Sequence, residues 1–220
     1  MQSLAPKWTI MICTVVDRPQ LFDRLVDRLA PQILGKDIEV LVYWNNYERQ
    51  LGEVRQKAIE EAKGEYVNFI DDDDLVTEDY VDSIYPHLHD VDYIGFMVDF
   101  FVNGKHNGRP VYHTLKSVDW WDDPNGFYRR VTHVNPVRRE LAVKYAGYDQ
   151  SDYKQGIAED ELYRLNMDDK VKTEYYVAKP IHLYYQTDNH AWSKFIPEDG
   201  IYKRPKLPPQ FRFHPLSTKG

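Results

Sequence analysis

Apolar residues fall into blocks whose spacing switches between that of strands and that of helices along the first third of the chain. Continuous apolar, β-branched runs occupy residues 8–16 (WTIMICTVV), 38–44 (IEVLVYW) and 66–70 (YVNFI), and such runs predict buried parallel strands. Between them, residues 20–30 and 51–63 carry apolar side chains at helical spacing. This alternation predicts an α/β fold with three layers, in which helices cover a mainly parallel central sheet.

Polar residues between these blocks predict where the helices end and begin. Gly64 stands where a C-terminal helix cap belongs. Thr77 is predicted to cap a further helix whose first turn carries Glu78 and Asp79, since a hydroxyl at the cap and acidic residues in the first turn both stabilise a helix.

The second half of the chain has a less regular pattern. Residues 92–102 predict a strand, and 111–115 return alongside it after the turn-rich segment 103–110. The segment 120–126 (WWDDPNG) is predicted to be a loop, and 138–146 and 158–167 short helices. The proline-rich, basic residues 196–220 predict an extended tail. We therefore divide the chain into a domain of residues 1–195, with halves 1–102 and 103–195, and a tail 196–220.

Length, charge and cysteine content narrow the class of protein. A chain of 220 residues suits one domain. The single cysteine, Cys13, allows no disulfide framework, so we expect a reducing, cytoplasmic location. No apolar stretch approaches the roughly 20 residues of a membrane span, so no membrane insertion is expected. A net charge of −7 argues against nonspecific coating of nucleic acid, although the basic tail is suited either to solvent or to a phosphate-rich partner.

An acidic cluster follows the third predicted strand directly. In a parallel sheet, ligands bind beyond the carboxyl ends of the strands, where Asp71–Asp74, Thr14–Arg18 and Asn45–Arg49 should meet. Four adjacent carboxylates repel one another and resist desolvation, and a hard divalent cation, Mg²⁺ or Mn²⁺, removes that cost. A solvated acidic loop without a ligand is the alternative.

Several other residues have both a functional and a structural interpretation. Arg55 could meet phosphate or a carboxylate, or lie on a helix surface. Glu159 and Asp160 open a predicted helix, where a carboxylate could act as a general base or simply complement the helix dipole. Trp120 and Trp121 are adjacent, so at most one belongs to the core, and the other could form a platform for a sugar or base of the acceptor.

Taken together and in order, these motifs resemble family 2 glycosyltransferases of the GT-A (Rossmann-like) fold. The most specific stretch is LGEVRQKAIEEAKGEYVNFIDDDD, which resembles the family's run leading into an Asp-x-Asp motif. The opening WTIMICTVVDRPQLFDRLVDRL, the segment HVNPVRRELAVKYAGYDQSDYKQGIAEDELYRL and the late HLYYQTDNHAWSK are also similar to family segments. The resemblance covers about residues 8–195, with a nucleotide-sugar half followed by an acceptor half.

The resemblance implies roles for individual residues. It implies that Asp73 binds the metal, that Asp71 contacts the ribose or the metal, and that His190, or failing it His182, is the third ligand. Asp160 matches the catalytic base, with Glu159 beside it. The residues assigned by the resemblance to the nucleotide sugar are Thr14, Val15, Asp17, Arg18, Asn45, Arg55, Asp71 and Asp72.

The implied activity is inverting transfer of a sugar, with UDP-sugars favoured as donors and Mn²⁺ or Mg²⁺ as cofactor. A glycan, a small molecule and a hydroxymethylated DNA base all remain open as acceptors, and the oligomeric state is open too. One alternative is a sugar nucleotidyltransferase, which the absence of glycine from TVVDRPQ disfavours. The other is a non-catalytic nucleotide- or carbohydrate-binding module, against which the presence of both acidic motifs argues.

Overall fold

The computed structural model describes residues 5–15, 18–45, 47–117, 120–150, 158–187 and 207–215. The helices α1 to α5 are Pro19–Ile33, Leu51–Glu61, Tyr80–Ile84, Arg139–Tyr145 and Glu159–Met167. The strands β1 to β12 are Trp8–Val15, Ile38–Asn45, Tyr66–Phe69, Leu75–Val76, Tyr93–Val102, Lys105–His106, Val111–His113, Trp121–Asp123, Gly126–Arg129, Val137–Arg138, Glu174–Gln186 and Phe211–Pro215. None of these helices combines the length and the apolar character needed to span a bilayer.

One mixed sheet forms the centre of the molecule. Its strands follow the order β12-β2-β1-β3-β10-β5-β7-β9-β8, and the first four run parallel to one another. Beyond them, β11 runs parallel to β5 over most of its length. β10 is antiparallel to β3 and β5, whereas β7 is antiparallel to β5 and parallel to β9. The predicted α/β fold with a mainly parallel central sheet is therefore confirmed.

Alternate residues of β1 face opposite layers, which explains why most positions of the strand are apolar. Trp8, Ile10 and Ile12 belong to the core beneath α1 and α3. Met11 and Cys13 belong to the core beneath α2, α4 and α5. Since both faces are covered by helices, both faces of this strand are mainly apolar, and the three-layer arrangement follows.

Both predicted helix boundaries were wrong. Helix α2 ends at Glu61, and Gly64 lies beyond it, where a Cβ atom would approach the backbone N of Thr9 to 2.4 Å. Glycine is needed there because two backbones come close. Helix α3 is flanked by Asp79, and the Thr77 hydroxyl donates to the Asp79 carboxylate (2.7 Å) rather than accepting from the helix.

The prediction of a loop at 120–126 was also wrong, because this segment contributes to a short hairpin. β8 and β9 pair antiparallel around a turn in which Asp123 Oδ1 accepts from the backbone N–H groups of Asn125 (2.8 Å) and Gly126 (3.0 Å). Side chains of adjacent strand residues point to opposite faces, so Phe127 and Tyr128 of β9 lie on different sides of the sheet.

Part of the tail is a strand of the sheet. β12 pairs in parallel with β2, and it is held by buried Phe211, by an ion pair between Arg212 and Glu39, and by the His214 ring stacked on Tyr43 (5.1 Å between centroids). The extended conformation predicted for the tail is thus found in its described residues.

Candidate active site

A cleft of about 1270 Å³ opens at the carboxyl edge of β1, β2 and β3. The three polar segments predicted to meet there do meet, since Thr14, Asn45 and the whole of Asp71–Asp74 line it. Glu159 and Asp160 enter from the first turn of α5. Further lining residues come from β5, β7, β9 and β11, of which the sequence associated only His182 on β11 with the site.

Asp71 is held by two cationic or polar partners. Arg55 Nη2 lies 2.6 Å from Asp71 Oδ1, and His133 Nε2 lies 3.2 Å from Oδ2. Burial alone would raise the pKa of Asp71, but Arg55 and His133 more than offset burial and hold it below its usual range. Arg55 is only 2% exposed and also contacts Glu159 (Nη1 to Oε1, 3.3 Å). It therefore pairs with carboxylates, as one of its two interpretations predicted, and does not lie on the helix surface.

Asp72 and Asp73 share a different arginine. Arg18 Nη2 lies 2.8 Å from Asp72 Oδ1, and Nη1 lies 3.2 Å from Asp73 Oδ2. The Thr14 hydroxyl donates to Asp72 (2.7 Å), and burial raises the pKa of Asp72 to about 6. Burial, followed by repulsion from the neighbouring aspartates, raises the pKa of Asp73 to about 8. Burial and its acidic neighbours therefore disfavour the charged form of Asp73.

Asp74 forms a buried pair with His182. His182 Nε2 lies 2.8 Å from Asp74 Oδ2, and both side chains are about 2% exposed. The backbone N–H of Tyr185 donates to the other oxygen of Asp74 (3.1 Å). His182, the second choice for a metal ligand, is thus engaged by a carboxylate, and His190, the first choice, lies outside the described residues.

The run Asp71–Asp74, which we term the acidic tip, fits a divalent cation only in part. Among the described residues, no three His, Cys, Asp or Glu side chains are arranged to hold an ion, and both Asp71 oxygens already have partners. Asp73 fits a hard cation, because its half-buried carboxylate sits beside three others and its pKa is raised. Mg²⁺ usually takes one or two protein carboxylates and completes its shell with phosphate oxygens and water.

The two acidic residues at the start of α5 have different surroundings. Glu159 is buried and paired with Arg55. Asp160 is half-buried and lines the cleft, and within the described part of the chain its carboxylate accepts a hydrogen bond from the backbone N–H of Glu161 (2.8 Å). Asp160 is therefore the carboxylate that a substrate can reach.

The end of the cleft at the loop after β2 contains most of the residues that the resemblance assigned to the nucleotide sugar. Val15 and Arg18 line it, whereas Asp17 lies outside the described residues. The Asn45 amide donates to the Arg49 carbonyl (3.0 Å) and so shapes the loop after β2. In that loop Tyr47 has a positive φ of 60° and is 66% exposed at the cleft. It lies within the segment Asn45–Arg49 that was predicted to reach this edge, although it was not singled out as a site residue.

The two adjacent tryptophans separate. Trp120 lines the cleft, and the guanidinium groups of Arg129 and Arg164 lie 5.3 and 5.4 Å from its ring centroid. Trp121 is 44% exposed and stacks on Tyr128 at 4.2 Å on the other side of the sheet. The structure therefore brings Trp120 to the site and does not bring Trp121 there.

The model of glycosyl transferase family 2 matches residues 15–156, whereas no curated protein sequence matches the chain. The crystal structure of S. aureus TarS 1–349 superposes with a TM-score of 0.60 at 18% identity, covering 81% of this chain and 60% of that one. The same TarS fragment in complex with UDP-GlcNAc gives 0.56 at 16% identity, covering 85% and 60%.

A second protein shares the fold. The mannosyltransferase PcManGT from Pyrobaculum calidifontis, in complex with GDP-Man and Mn²⁺, superposes with a TM-score of 0.52 at 13% identity, covering 88% of this chain and 60% of that one. The chain thus spans about 60% of the length of these similar structures. At such identities the likeness concerns the fold.

Proposed function

The chain belongs to glycosyl transferase family 2, and from this premise we propose that it transfers a sugar from a nucleoside-diphosphate sugar to an acceptor hydroxyl, with inversion at the anomeric carbon. The observation that carries the proposal is that one cleft contains both the acidic tip Asp71–Asp74 and the accessible carboxylate of Asp160. Such an arrangement supplies a charged environment for a diphosphate and a separate group that can accept a proton.

Asp160 is the general base of the proposed reaction. It takes the proton of the acceptor hydroxyl, whose oxygen attacks the anomeric carbon while the bond from that carbon to the diphosphate oxygen breaks. The electron pair of that bond leaves with the nucleoside diphosphate, and attack from the opposite face inverts the configuration. Positioned base catalysis of this kind contributes about 10²–10⁴-fold to rate. Glu159 keeps a structural role through Arg55.

Asp73 is the residue that we assign to a divalent cation, Mn²⁺ or Mg²⁺, with Asp71 oriented beside it by Arg55 and His133. Bound there, a cation would neutralise charge that develops on the leaving diphosphate. Arg18 bridges Asp72 and Asp73 and is 30% exposed in its side chain, so it can add charge-assisted hydrogen bonds to a phosphate.

We assign the end of the cleft at the loop after β2 to the nucleoside of the donor. UDP is favoured as its nucleotide because TarS was crystallised with UDP-GlcNAc. Thr14, Val15 and Asn45 border the space for the nucleoside, and the exposed ring of Tyr47 can stack on its base.

A panel of nucleotide sugars, each added with and without Mn²⁺, tests the proposal. A true donor raises the melting temperature, because ligand that binds only the native state adds to its stability, and the enzyme slowly hydrolyses it without an acceptor. Asp160→Asn should keep the thermal shift and lose turnover. Absence of both stabilisation and hydrolysis for every UDP- and GDP-sugar contradicts the proposal.

A further inference from the structure

The cleft is larger than one substrate needs. Ligand sites usually enclose roughly 300–1,000 Å³, and this one encloses about 1270 Å³. The acidic tip and the loop after β2 take up one end. The other end, which we term the aromatic lobe, is formed by side chains from β5, β7, β9 and β11, namely Val98, Phe100, Val111, His113, Phe127 and Tyr184.

The walls of the aromatic lobe are apolar and held in place. The Phe100 ring meets Phe127 edge-on, with 5.5 Å between ring centroids, and it lies tilted against Tyr184, with 5.3 Å between centroids. Behind Phe127, the Arg109 guanidinium lies 4.0 Å from its ring centroid. Val98 is only 2% exposed, so it forms a floor. Fixed rings of this kind favour contact with another ring, stacked or edge-on.

His113 is a hydrogen-bonding group of defined polarity in this lobe. The Asn135 amide Nδ2 donates to the Ile94 carbonyl (2.8 Å), which directs its Oδ1 to His113 Nδ1 (2.8 Å). Nδ1 therefore carries the ring proton and donates to Asn135. The other nitrogen, Nε2, is left as an acceptor for a ligand, because a neutral imidazole has one donor and one acceptor.

We propose that the aromatic lobe binds an acceptor that carries an aromatic or heteroaromatic ring with a hydrogen-bond donor on its edge. A sugar ring is a poorer match, since several of its hydroxyls would face valine and phenylalanine without partners, and each such loss weakens binding on the order of tenfold. An aromatic ring buries two apolar faces there and offers its donor to His113. This inference rests on the proposed function, because the proposed transfer reaction requires an acceptor.

Three glycosides with the same sugar test the proposal: 4-aminophenyl, 4-nitrophenyl and methyl β-D-glucopyranoside. In saturation-transfer NMR on the full chain without donor, we expect the aryl protons to receive more saturation than the sugar protons. With a UDP-sugar present, we expect the aminophenyl probe to stimulate UDP release with a KM about tenfold below that of the methyl glycoside. The nitrophenyl probe should be weaker than the aminophenyl probe because its substituent only accepts hydrogen bonds.

Variants on and off the lobe separate binding from folding. Tyr184 is 43% exposed, so Tyr184→Ala should fold and lose the aryl signal. Phe127→Ala should do the same, whereas Tyr128→Ala, one residue along on the other side of β9, should behave as wild type.

Equal binding of aryl and methyl glycosides, or loss of the aryl signal in Tyr128→Ala alone, overturns the proposal. Equal binding of the two aryl probes removes His113 from it. If no nucleotide sugar is bound or hydrolysed, the proposed function fails, and the NMR signal still decides whether the lobe binds aromatic rings.

Discussion

Asp160→Asn and Glu159→Gln form a pair of variants that should separate chemistry from stability at adjacent positions. Asp160 lines the cleft and accepts a hydrogen bond from its own helix, so an amide there should fold normally. Because an amide cannot take the proton of the acceptor hydroxyl, we expect turnover to fall about 10²–10⁴-fold, or about 3–5 kcal/mol in the barrier. Donor affinity should stay within twofold or so, since Asp160 touches neither Arg18 nor the acidic tip.

Glu159→Gln should produce the opposite profile. Glu159 Oε1 lies 3.3 Å from Arg55 Nη1, and both side chains are nearly inaccessible. Removing one partner of a buried ion pair costs up to 3–5 kcal/mol, but Arg55 keeps Asp71 at 2.6 Å, so we expect a loss of about 2 kcal/mol. For a chain of this size, that lowers the melting temperature by about 4–8 °C.

Two assays on the same preparations decide between the roles. Thermal unfolding should distinguish Glu159→Gln from wild type, and initial rates of UDP release at saturating donor should distinguish Asp160→Asn. If Glu159→Gln loses turnover by the larger factor while Asp160→Asn retains most of it, the base is Glu159 and the reasoning from accessibility is refuted.

Three further predictions concern other positions in or near the cleft. Asp73→Ala should abolish Mn²⁺-dependent binding of UDP in calorimetry, whereas Asp90→Ala, at an exposed surface carboxylate, should leave it intact; equal binding by both variants contradicts the assignment. Burial raises the pKa of the Cys13 thiol to about 12, so this only cysteine should react with Ellman's reagent at pH 8 after unfolding and not before, because the thiolate is the reactive form. Burial lowers the pKa of His113 to about 3, below the roughly 6.5 of an unfolded chain. The contribution of the neutral imidazole to the free energy of unfolding is therefore fully present above pH 6.5 and is lost as the pH falls towards 3. Urea unfolding of wild type and His113→Gln should therefore show their stability difference narrowing by about 2 kcal/mol between pH 7.5 and 5.0, and an unchanged difference counts against a neutral, buried imidazole.

The sequence was informative where both faces of an element are buried. The strands around Ile10, Val40 and Val67 could be located because parallel strands between helices are mainly apolar on both faces. The hairpin at 121–129 could not, because its strands have three and four residues and lie partly exposed at the sheet edge. For such strands the pairing partner, rather than the local pattern, determines the structure.

The site was predictable to the extent that its residues are consecutive. The acidic run and the pair at 159–160 are visible in the sequence, but their partners are distant, since His133 is 62 residues from Asp71 and His182 is 108 from Asp74. The aromatic lobe draws Phe100 and Phe127 from different strands, and only the strand register brings these rings together. The high aromatic content indicated ring contacts in general without indicating which rings meet.

Arg55 explains how the two acidic motifs can act on one substrate. Its guanidinium contacts Asp71 after β3 through Nη2 and Glu159 at the start of α5 through Nη1, and it is nearly inaccessible to water. The carboxylates of Asp71 and Glu159 raise the pKa of Arg55 although burial alone would lower it. The guanidinium therefore stays charged, with both carboxylates as its counter-ions. A planar guanidinium offers donors in fixed directions, and it thereby fixes the separation between the acidic tip and the helix that carries Asp160. The same pairing leaves Asp160 without a competing cation from Arg55 and leaves Asp73 to its contact with Arg18. One buried side chain therefore holds the proposed metal and proton-accepting positions at a set distance while keeping itself out of the reaction.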